Sequence, residues 1–423
     1  MINKLKLLIK VITNSKIFFK NPPKKKLFIF DIGVPALTQS ILKHFDHFVY
    51  KDRGYMINRI YISLDIIKLM IFHLKFGLKN AYTIAIIKLV NPNLILTVIQ
   101  EQRNFLFLAK VLNKKFNFLI LQIASHYYRI NEAVYLKKKG VKNYSINEAV
   151  YLKKKGAKID RYLIPNILLY SDFDKKNYEK IPGINIENYE VVGSLILEAF
   201  KNKIKKKEIK IKKNKYFIFF LSNIGGMELS DEKKNIDYNF LKLIKFVIQY
   251  SKEKNKKIIF ALKRPKPKQN ENSKLNSNFI SYWTEQEWFK KNLSINEYKF
   301  LKKRFRNQNH NNFSSYKAAT ESKVVIASMS TMLREMFSVK KKILACNFTS
   351  NKVYDFPIQG ISSINFDCDY DFFRKRLDQI LYLSDKKYFK LAKFKKNYDL
   401  TINQKDQTIE KIVSSIQSFV KKN

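Results

Sequence analysis

The chain has 423 residues, 46% of them apolar and 14% aromatic, enough for two or three packed domains and unlike a disordered chain. Its formal net charge is +47, from 82 Lys and Arg against 35 Asp and Glu. The two cysteines, Cys346 and Cys368, lie far apart in no CxxC pair, which argues against a disulfide framework and a structural zinc site.

A charge of this size attracts nucleic acid or anionic lipid. The basic residues are mostly Lys, spread along the whole chain, and accompanied by abundant Asn, Ile, Phe and Tyr, the set that AT-rich codons encode. A nucleic-acid groove would concentrate Arg and aromatics in one region. Compositional bias is therefore favoured over nucleic-acid binding, with a peripheral contact to anionic membrane as a by-product. The His residues form no HExxH, so no bound metal is expected and no divalent ion is required. No run of about 18 uncharged apolar residues exists to span a bilayer.

In chain order, Met1–Lys26 is a basic segment in which Leu5, Leu8, Ile9 and Ile12 recur at helical spacing. Such a helix either lies on a membrane surface or packs on its own domain. Its interrupting Lys10 and Asn14 argue against a signal peptide. The first strand is Leu27–Asp31, followed by Gly33 in a turn and a helix from Leu37 to His44. A strand at Phe48–Tyr50 precedes a long apolar helical stretch from Ile60 to Leu89. After the turn at Asn91-Pro92-Asn93 come a strand at Leu94–Ile99, a helix at Phe105–Leu112 and a strand at Phe116–Gln122. Strands alternating with helices predict a parallel sheet covered on both faces.

The chain then repeats itself: INEAVYLKKKG begins at Ile130 and again at Ile146, a period of 146 − 130 = 16 residues. Two copies make no solenoid, so the reading is a tandem duplication at a surface helix. Strand signals at Arg161–Tyr170 and Tyr189–Val192 close the first half, and the Lys-dense Lys201–Lys215 reads as a linker. The second half brings strands at Tyr216–Leu221, Lys257–Leu262, Lys323–Ala327 and Ile343–Asn347. Helices are expected at Phe240–Lys252, Thr331–Phe337, Tyr370–Leu383, Tyr388–Lys395 and Gln407–Phe419, with a loop at Lys266–Ser281. The outline is α/β: two Rossmann-like domains in a GT-B arrangement with a C-terminal helical tail. The expected divisions are 1–26, an acceptor domain at 27–200, a nucleotide-donor domain at 201–395 and a C-terminal helix at 396–423. Ligands of open α/β sheets sit beyond the carboxyl ends of the strands, which here predicts a cleft between domains.

The sharpest local feature is a buried strand ending in Ser328-Met329-Ser330-Thr331, from which a helix opens through Met332-Leu333-Arg334-Glu335. Ser and Thr cap free amides at a helix start, and the same amides and dipole attract phosphate. An ordinary N-cap with a surface Glu explains the pattern equally. Lys263-Arg264, after a strand, is a second candidate phosphate contact or a solvated basic pair. Gly225-Gly226 would let backbone approach a ligand, or simply turn the chain. Transfer chemistry also needs a base. Asp31 and Glu101 at strand ends and His126 after one are candidates, each with a structural alternative: a turn cap, a helix-start carboxylate and a packed histidine.

Ser315-Tyr316-Lys317, then KVVIASMST, MLREMF and KKKILACNF, resemble the C-terminal domain of bacterial surface-polysaccharide and lipopolysaccharide transferases. In that group a strand leads into Ser-Thr-x-x-x-Glu, matched here by Ser330-Thr331 and Glu335, and a basic stretch like Lys340–Lys342 precedes the next strand. Tyr354-Asp355-Phe356-Pro357 stands at the group's aromatic-Pro loop, and NPNLILTVI, FNFLILQ and Val191–Ser194 follow in the expected order. The resemblance runs from about Leu27 to Leu391. It departs at Gln100-Glu101, at Ile123-Ala124 and at Leu333, where the group often has Asp-Asn, Asn-Gly and Gly. It implies a glycosyltransferase taking a nucleotide-sugar donor and a glycan or lipid-linked acceptor, cytoplasmic and peripheral at the inner membrane face. Ser328, Ser330, Thr331 and Glu335 would then meet the donor's phosphate and ribose. A CDP-glycerol-type polyol-phosphate or sugar-phosphate transferase is the enzymatic alternative. A non-catalytic basic protein binding membrane or RNA is the other.

Overall fold

In a computed structural model of the chain, the described residues are 16–52, 56–57, 59–98, 103–123, 162–179, 184–212, 215–221, 230–262, 277–306, 313–328, 330–349, 352–397 and 407–421. The chain divides into two units, one of residues 1–124, 133–199 and 404–423, the other of 125–132 and 200–403.

The first unit is built on β1 (Lys16–Phe18), β2 (Leu27–Asp31), α1 (Pro35–Ser40), β3 (His47–Val49), β4 (Arg59–Tyr61), α2 (Leu64–Phe72), α3 (Leu78–Val90), β5 (Leu94–Thr97), α4 (Arg103–Leu112), β6 (Asn117–Leu121), β7 (Tyr162–Leu169), α5 (Asp172–Tyr178) and β8 (Ile184–Val191). Its main sheet is six-stranded and runs β8-β7-β6-β5-β2-β3. Every pairing in it is parallel. The apolar runs that form β2 and β5 are buried along their whole length, as a parallel sheet covered on both faces requires.

The boundary falls within α6 (Leu195–Lys205), so the Lys-dense stretch expected to be a linker begins as helix. Ser194 accepts from Leu197 N at 3.2 Å to start it, and Leu195, Leu197, Ala199 and Phe200 are buried. The predicted long helix over Ile60–Leu89 is also corrected. Ile60 lies in β4, Ser63 caps α2 by accepting from Ile66 N, and Gly77 at φ 83° separates α2 from α3. Only glycine takes that backbone conformation cheaply. The predicted helix from Leu37 to His44 ends at Ser40 and tightens into a 3-10 turn at Leu42–His44.

The second unit adds β9 (Tyr216–Leu221), α7 (Ser230–Glu253), β10 (Ile258–Ala261), α8 (Ser277–Asn292), α9 (Ile295–Lys302), β11 (Phe305–Arg306), α10 (Ser314–Glu321), β12 (Ser322–Ala327), α11 (Thr331–Ser338), β13 (Lys342–Cys346), β14 (Ser363–Ile364), α12 (Tyr370–Tyr382) and α13 (Asp385–Leu391). Its six strands run β11-β10-β9-β12-β13-β14, all parallel. Helix α8 begins at Ser277, inside the predicted loop. The reading also missed α9, which Ser294 and Glu297 close with reciprocal capping hydrogen bonds.

The last helix, α14 (Thr408–Lys421), belongs to the first unit. Thr408 Oγ1 donates to Val192 O at 2.6 Å, Asn93 Nδ2 donates to Val420 O at 2.8 Å, and Ile412 and Ile416 are fully buried. The predicted amphipathic helix at Leu5–Ile12 and the duplication at 130–160 lie outside the described residues.

Candidate functional site

Strand order locates the crevices where a doubly wound sheet takes ligands. Numbered within its own unit, the second sheet runs 3-2-1-4-5-6, so its direction of winding reverses between β9 and β12. At such a reversal the connecting helices of a doubly wound sheet leave toward opposite faces, and ligands bind beyond the strands' carboxyl ends. The described residues at that point are Leu221 and, after Ala327, Ser328, Ser330 and Thr331.

Ser328 is 3% exposed and its Oγ has no hydrogen-bond partner among the described residues. Leaving a buried hydroxyl unpaired costs about 1–3 kcal/mol, a cost that a bound polar ligand would remove. Ser330 is the N-cap of α11, with extended backbone at φ −150°. Its Oγ accepts from Met332 N and its carbonyl from Leu333 N, both at 3.2 Å. The Ser330 hydroxyl also carries a hydrogen that it can donate to an anion held at the positive end of the helix. Thr331 is the first helical residue.

Glu335 sits deeper than a surface carboxylate one turn down the helix would. It is 1% exposed and accepts from the Tyr316 hydroxyl at 2.5 Å. That bond ties α10 to α11. Next to Tyr316, Ser315 is 7% exposed and its Oγ is another buried hydroxyl without a hydrogen-bond partner among the described residues. The lysines before β13 are engaged in the fold. Lys341 Nζ donates to Thr320 O at 2.7 Å, and Lys342 Nζ donates to Leu383 O and pairs with Asp385. Beyond β13, Asn347 Nδ2 donates to Asp355 Oδ1 at 2.7 Å, and Asn239 bridges Cys346 O and Phe348 N. Burial pushes the Asp355 carboxyl up, against its bond from Asn347. Tyr354 and Phe356 of the same loop are buried.

In the first unit the order is 2-1-3-4-5-6, and the reversal falls between β2 and β5. Asp31 stands there, fully buried, its Oδ1 accepting from Gly33 N at 3.1 Å. Lys51 is 5% exposed, its Nζ 4.7 Å from the Phe30 ring centroid. Burial, reinforced by Lys79 and opposed by Asp31, pushes its ammonium down to about 8. A buried acidic residue and a buried lysine thus lie near the second switch point.

The sequence candidates Glu101, His126, Lys263, Arg264, Gly225 and Gly226 lie outside the described residues. The structure therefore brings together Ser328, Ser330, Thr331 and Glu335, and holds Asp31 in the other unit. Sequence reasoning missed Tyr316 as the partner of Glu335. The residues are 19 apart, and only the packing of α10 beside α11 joins them. Among the described residues no group of three His, Cys, Asp or Glu side chains is placed to hold a metal, and no helix is long and apolar enough to cross a membrane. Both cysteines are buried and unpaired.

No protein-family model and no curated protein matches the chain. Among solved structures it is similar to the wall teichoic acid polymerase TagF, with a TM-score of 0.51 and 9% identity over 99% of this chain and 92% of that one. A variant of TagF gives a TM-score of 0.52 at 9% identity over 100% and 98% of the two chains. At this identity the likeness is one of fold. The fold class read from the sequence, α/β with two Rossmann-like domains of the GT-B type, is the one observed.

Proposed function

We propose that the chain is a glycosyltransferase that binds a nucleotide-activated sugar at the β12–α11 turn and passes the sugar to a bacterial surface glycan or its lipid-linked precursor. One observation carries the reading: a capped helix start and a buried serine with no hydrogen-bond partner among the described residues meet at the switch point of a 3-2-1-4-5-6 parallel sheet. The helix start would take the donor's phosphates, with the hydroxyls of Ser330 and Thr331 donating to phosphate oxygens and Ser328 lining the floor. These groups gain most when charge develops on the departing nucleotide, so they favour the transition state over the ground state. Glu335, held by Tyr316, would fix α11 beneath the donor's ribose. Asp31 is the described candidate for the base that takes the acceptor's proton, and Lys51 would tune it.

The fold shared with a wall teichoic acid polymerase favours a second reading, transfer of a polyol phosphate from a CDP-activated donor. Both readings place the nucleotide in the second unit.

The test is thermal unfolding with UMP, UDP, CMP, CDP, GDP and ADP, for the wild type and for Ser330→Ala/Thr331→Ala. A ligand at a hundred times its Kd stabilises the folded state by about 2.7 kcal/mol. The expected result is a rise for one base, lost in the variant. A cooperative transition that no nucleotide moves would overturn both readings.

A further inference from the structure

The first unit carries an apolar face that its own core leaves uncovered. Ile66 is the buried residue of α2, whereas Leu64, Ile67, Ile71 and Phe72 are 75%, 45%, 68% and 74% exposed. Leu64, Ile67 and Ile71 recur at steps of three and four residues, which places them on one side of the helix. Leu74 and Leu78, around the Gly77 break, are 53% and 67% exposed. Phe19 is 83% exposed, and the turn after β1 that carries it is tied to the start of α2. Asn21 Nδ2 donates to Asp65 Oδ2 at 2.7 Å and Ser63 Oγ donates to Asn21 Oδ1. A contiguous apolar surface of this kind on a folded protein marks an interaction site.

The charges between these side chains identify the partner. From Arg59 to Lys79 the cations are Arg59, Lys68, Lys75 and Lys79, and the single acid is Asp65, already held by Asn21. Lys68, Lys75 and Lys79 are exposed beside the apolar residues, and Lys20 beside Phe19. His73 is buried between Phe72 and Phe76, and burial with Lys88 and Lys75 pushes its imidazole down, so it adds no charge at neutral pH. A second copy of this chain would bring the same cations against these lysines. A nucleic acid would pair with the lysines and leave the aliphatic side chains in contact with phosphate. An anionic bilayer supplies both halves, phosphates for the ammonium groups and an acyl boundary for the apolar tips.

We propose that α2, the Gly77 turn and the Phe19 turn form a docking face for the surface of an anionic membrane. Phe72, Ile71, Leu74 and Leu78 enter the acyl boundary, and Lys68, Lys75 and Lys79 stay at the phosphate level with their methylene stems buried. The face is distinct from the candidate nucleotide site and does not depend on the transferase reading.

The experiment is sedimentation with vesicles of phosphatidylcholine alone and of equal parts phosphatidylcholine and phosphatidylglycerol. The wild type should bind the anionic vesicles in preference. Ile71→Ser/Phe72→Ser/Leu78→Ser leaves the charge unchanged and should lower binding at least about tenfold, since each exposed side chain loses its transfer from water. Lys68→Gln, Lys75→Gln and Lys79→Gln should each lower it about fivefold. All these positions are exposed, so melting temperatures should match the wild type, and a variant with a lowered melting point is replaced by the single substitutions. Phe72→Cys carrying an NBD fluorophore, selective because Cys346 and Cys368 are buried, should shift to the blue only when anionic vesicles are added. Equal binding by wild type and the serine variant would overturn the proposal by showing that charge elsewhere drives attraction. NBD already shifted without vesicles would overturn it by showing that protein, a second copy or the chain's own residues 1–15, covers the face. No binding by the wild type would overturn it outright.

Discussion

Tyr316→Phe removes one oxygen from the second unit and leaves the ring. The ring packs 5.6 Å from Phe200 and 6.1 Å from Phe313 between centroids, contacts that phenylalanine keeps. What disappears is the bond to Glu335 at 2.5 Å, on a carboxylate only 1% exposed that water does not reach to replace it. Hydrogen bonds to charged groups contribute about 1.5–3 kcal/mol net. Tyr316 is itself half-buried, which places the expected loss near the lower end, about 2 kcal/mol. For a unit of about 200 residues that lowers its melting point by about 4–8 °C. Both tryptophans, Trp283 and Trp288, lie in the second unit, so urea unfolding followed by their fluorescence reads this unit selectively. Glu335→Gln keeps an acceptor for the phenol and should cost less, whereas Glu335→Ala removes that acceptor and leaves a void, and should cost more. The double variant Tyr316→Phe/Glu335→Gln should cost less than the sum of the two singles, because they share one interaction. A change within about 0.5 kcal/mol for Tyr316→Phe, the size of an ordinary surface substitution, would refute the coupling of α10 to α11 through this pair.

Gly33 has φ 51°, and a Cβ there would meet Val98 Cγ2 at 2.5 Å. Gly33→Ala should therefore cost the first unit more than the about 1–2 kcal/mol of left-handed strain alone, read by hydrogen exchange in β2 and β5. Ile412→Ala should cost about 2–5 kcal/mol, because α14 closes the first unit with that side chain fully buried. The same exchange experiment should show faster exchange in β5 and β8, and an unchanged second unit. Alkaline pH should stabilise the protein before it destabilises it. Lys51 and Lys341 are each pushed down to about 8, chiefly by burial. Unfolded lysines hold their proton to about 10.4, so between about pH 8 and 10 the unfolded chain binds more protons and stability rises. Tyr388, pushed up to about 12 by burial, acts with the opposite sign above about pH 10, where the folded state keeps a proton the unfolded state has lost. Melting temperature across this range should rise and then fall, and Lys51→Met or Lys341→Met should flatten the rise.

The parallel sheets were legible in the sequence because burial on both faces writes a strand as an unbroken apolar run. LFIFD, LILT, YFIFFL, IIFA and KILAC each became a strand. Helix limits were less legible where composition misled. The apolar stretch over Ile60–Leu89 looked continuous, yet Ser63 and Gly77 set its breaks through backbone geometry. The lysines of Lys201–Lys205 looked like a linker, yet they continue a helix whose buried side begins at Leu195. Ser330 was readable as a cap, because a hydroxyl residue before MLREMF is a local signal. The burial of Glu335, its bond to Tyr316 and the burial of Ser328 were not readable, since each depends on elements that meet only after the sheet forms. Strand order, which sets the switch points, is likewise a property of the assembled sheet.

The most direct test of the transfer reading is mass spectrometry of the nucleotide released from activated donors by the wild type in the presence of bacterial envelope acceptors. Release of a nucleoside diphosphate from a nucleoside-diphosphate sugar, or of a monophosphate from a nucleoside-monophosphate sugar, abolished in Ser330→Ala/Thr331→Ala at unchanged melting temperature, is the result expected for glycosyl transfer. CMP release from a CDP-polyol would instead assign polyol-phosphate transfer at the same site. A folded wild type that releases no nucleotide from any donor, or releases it equally well in the variant, would contradict a transferase site at the β12–α11 turn.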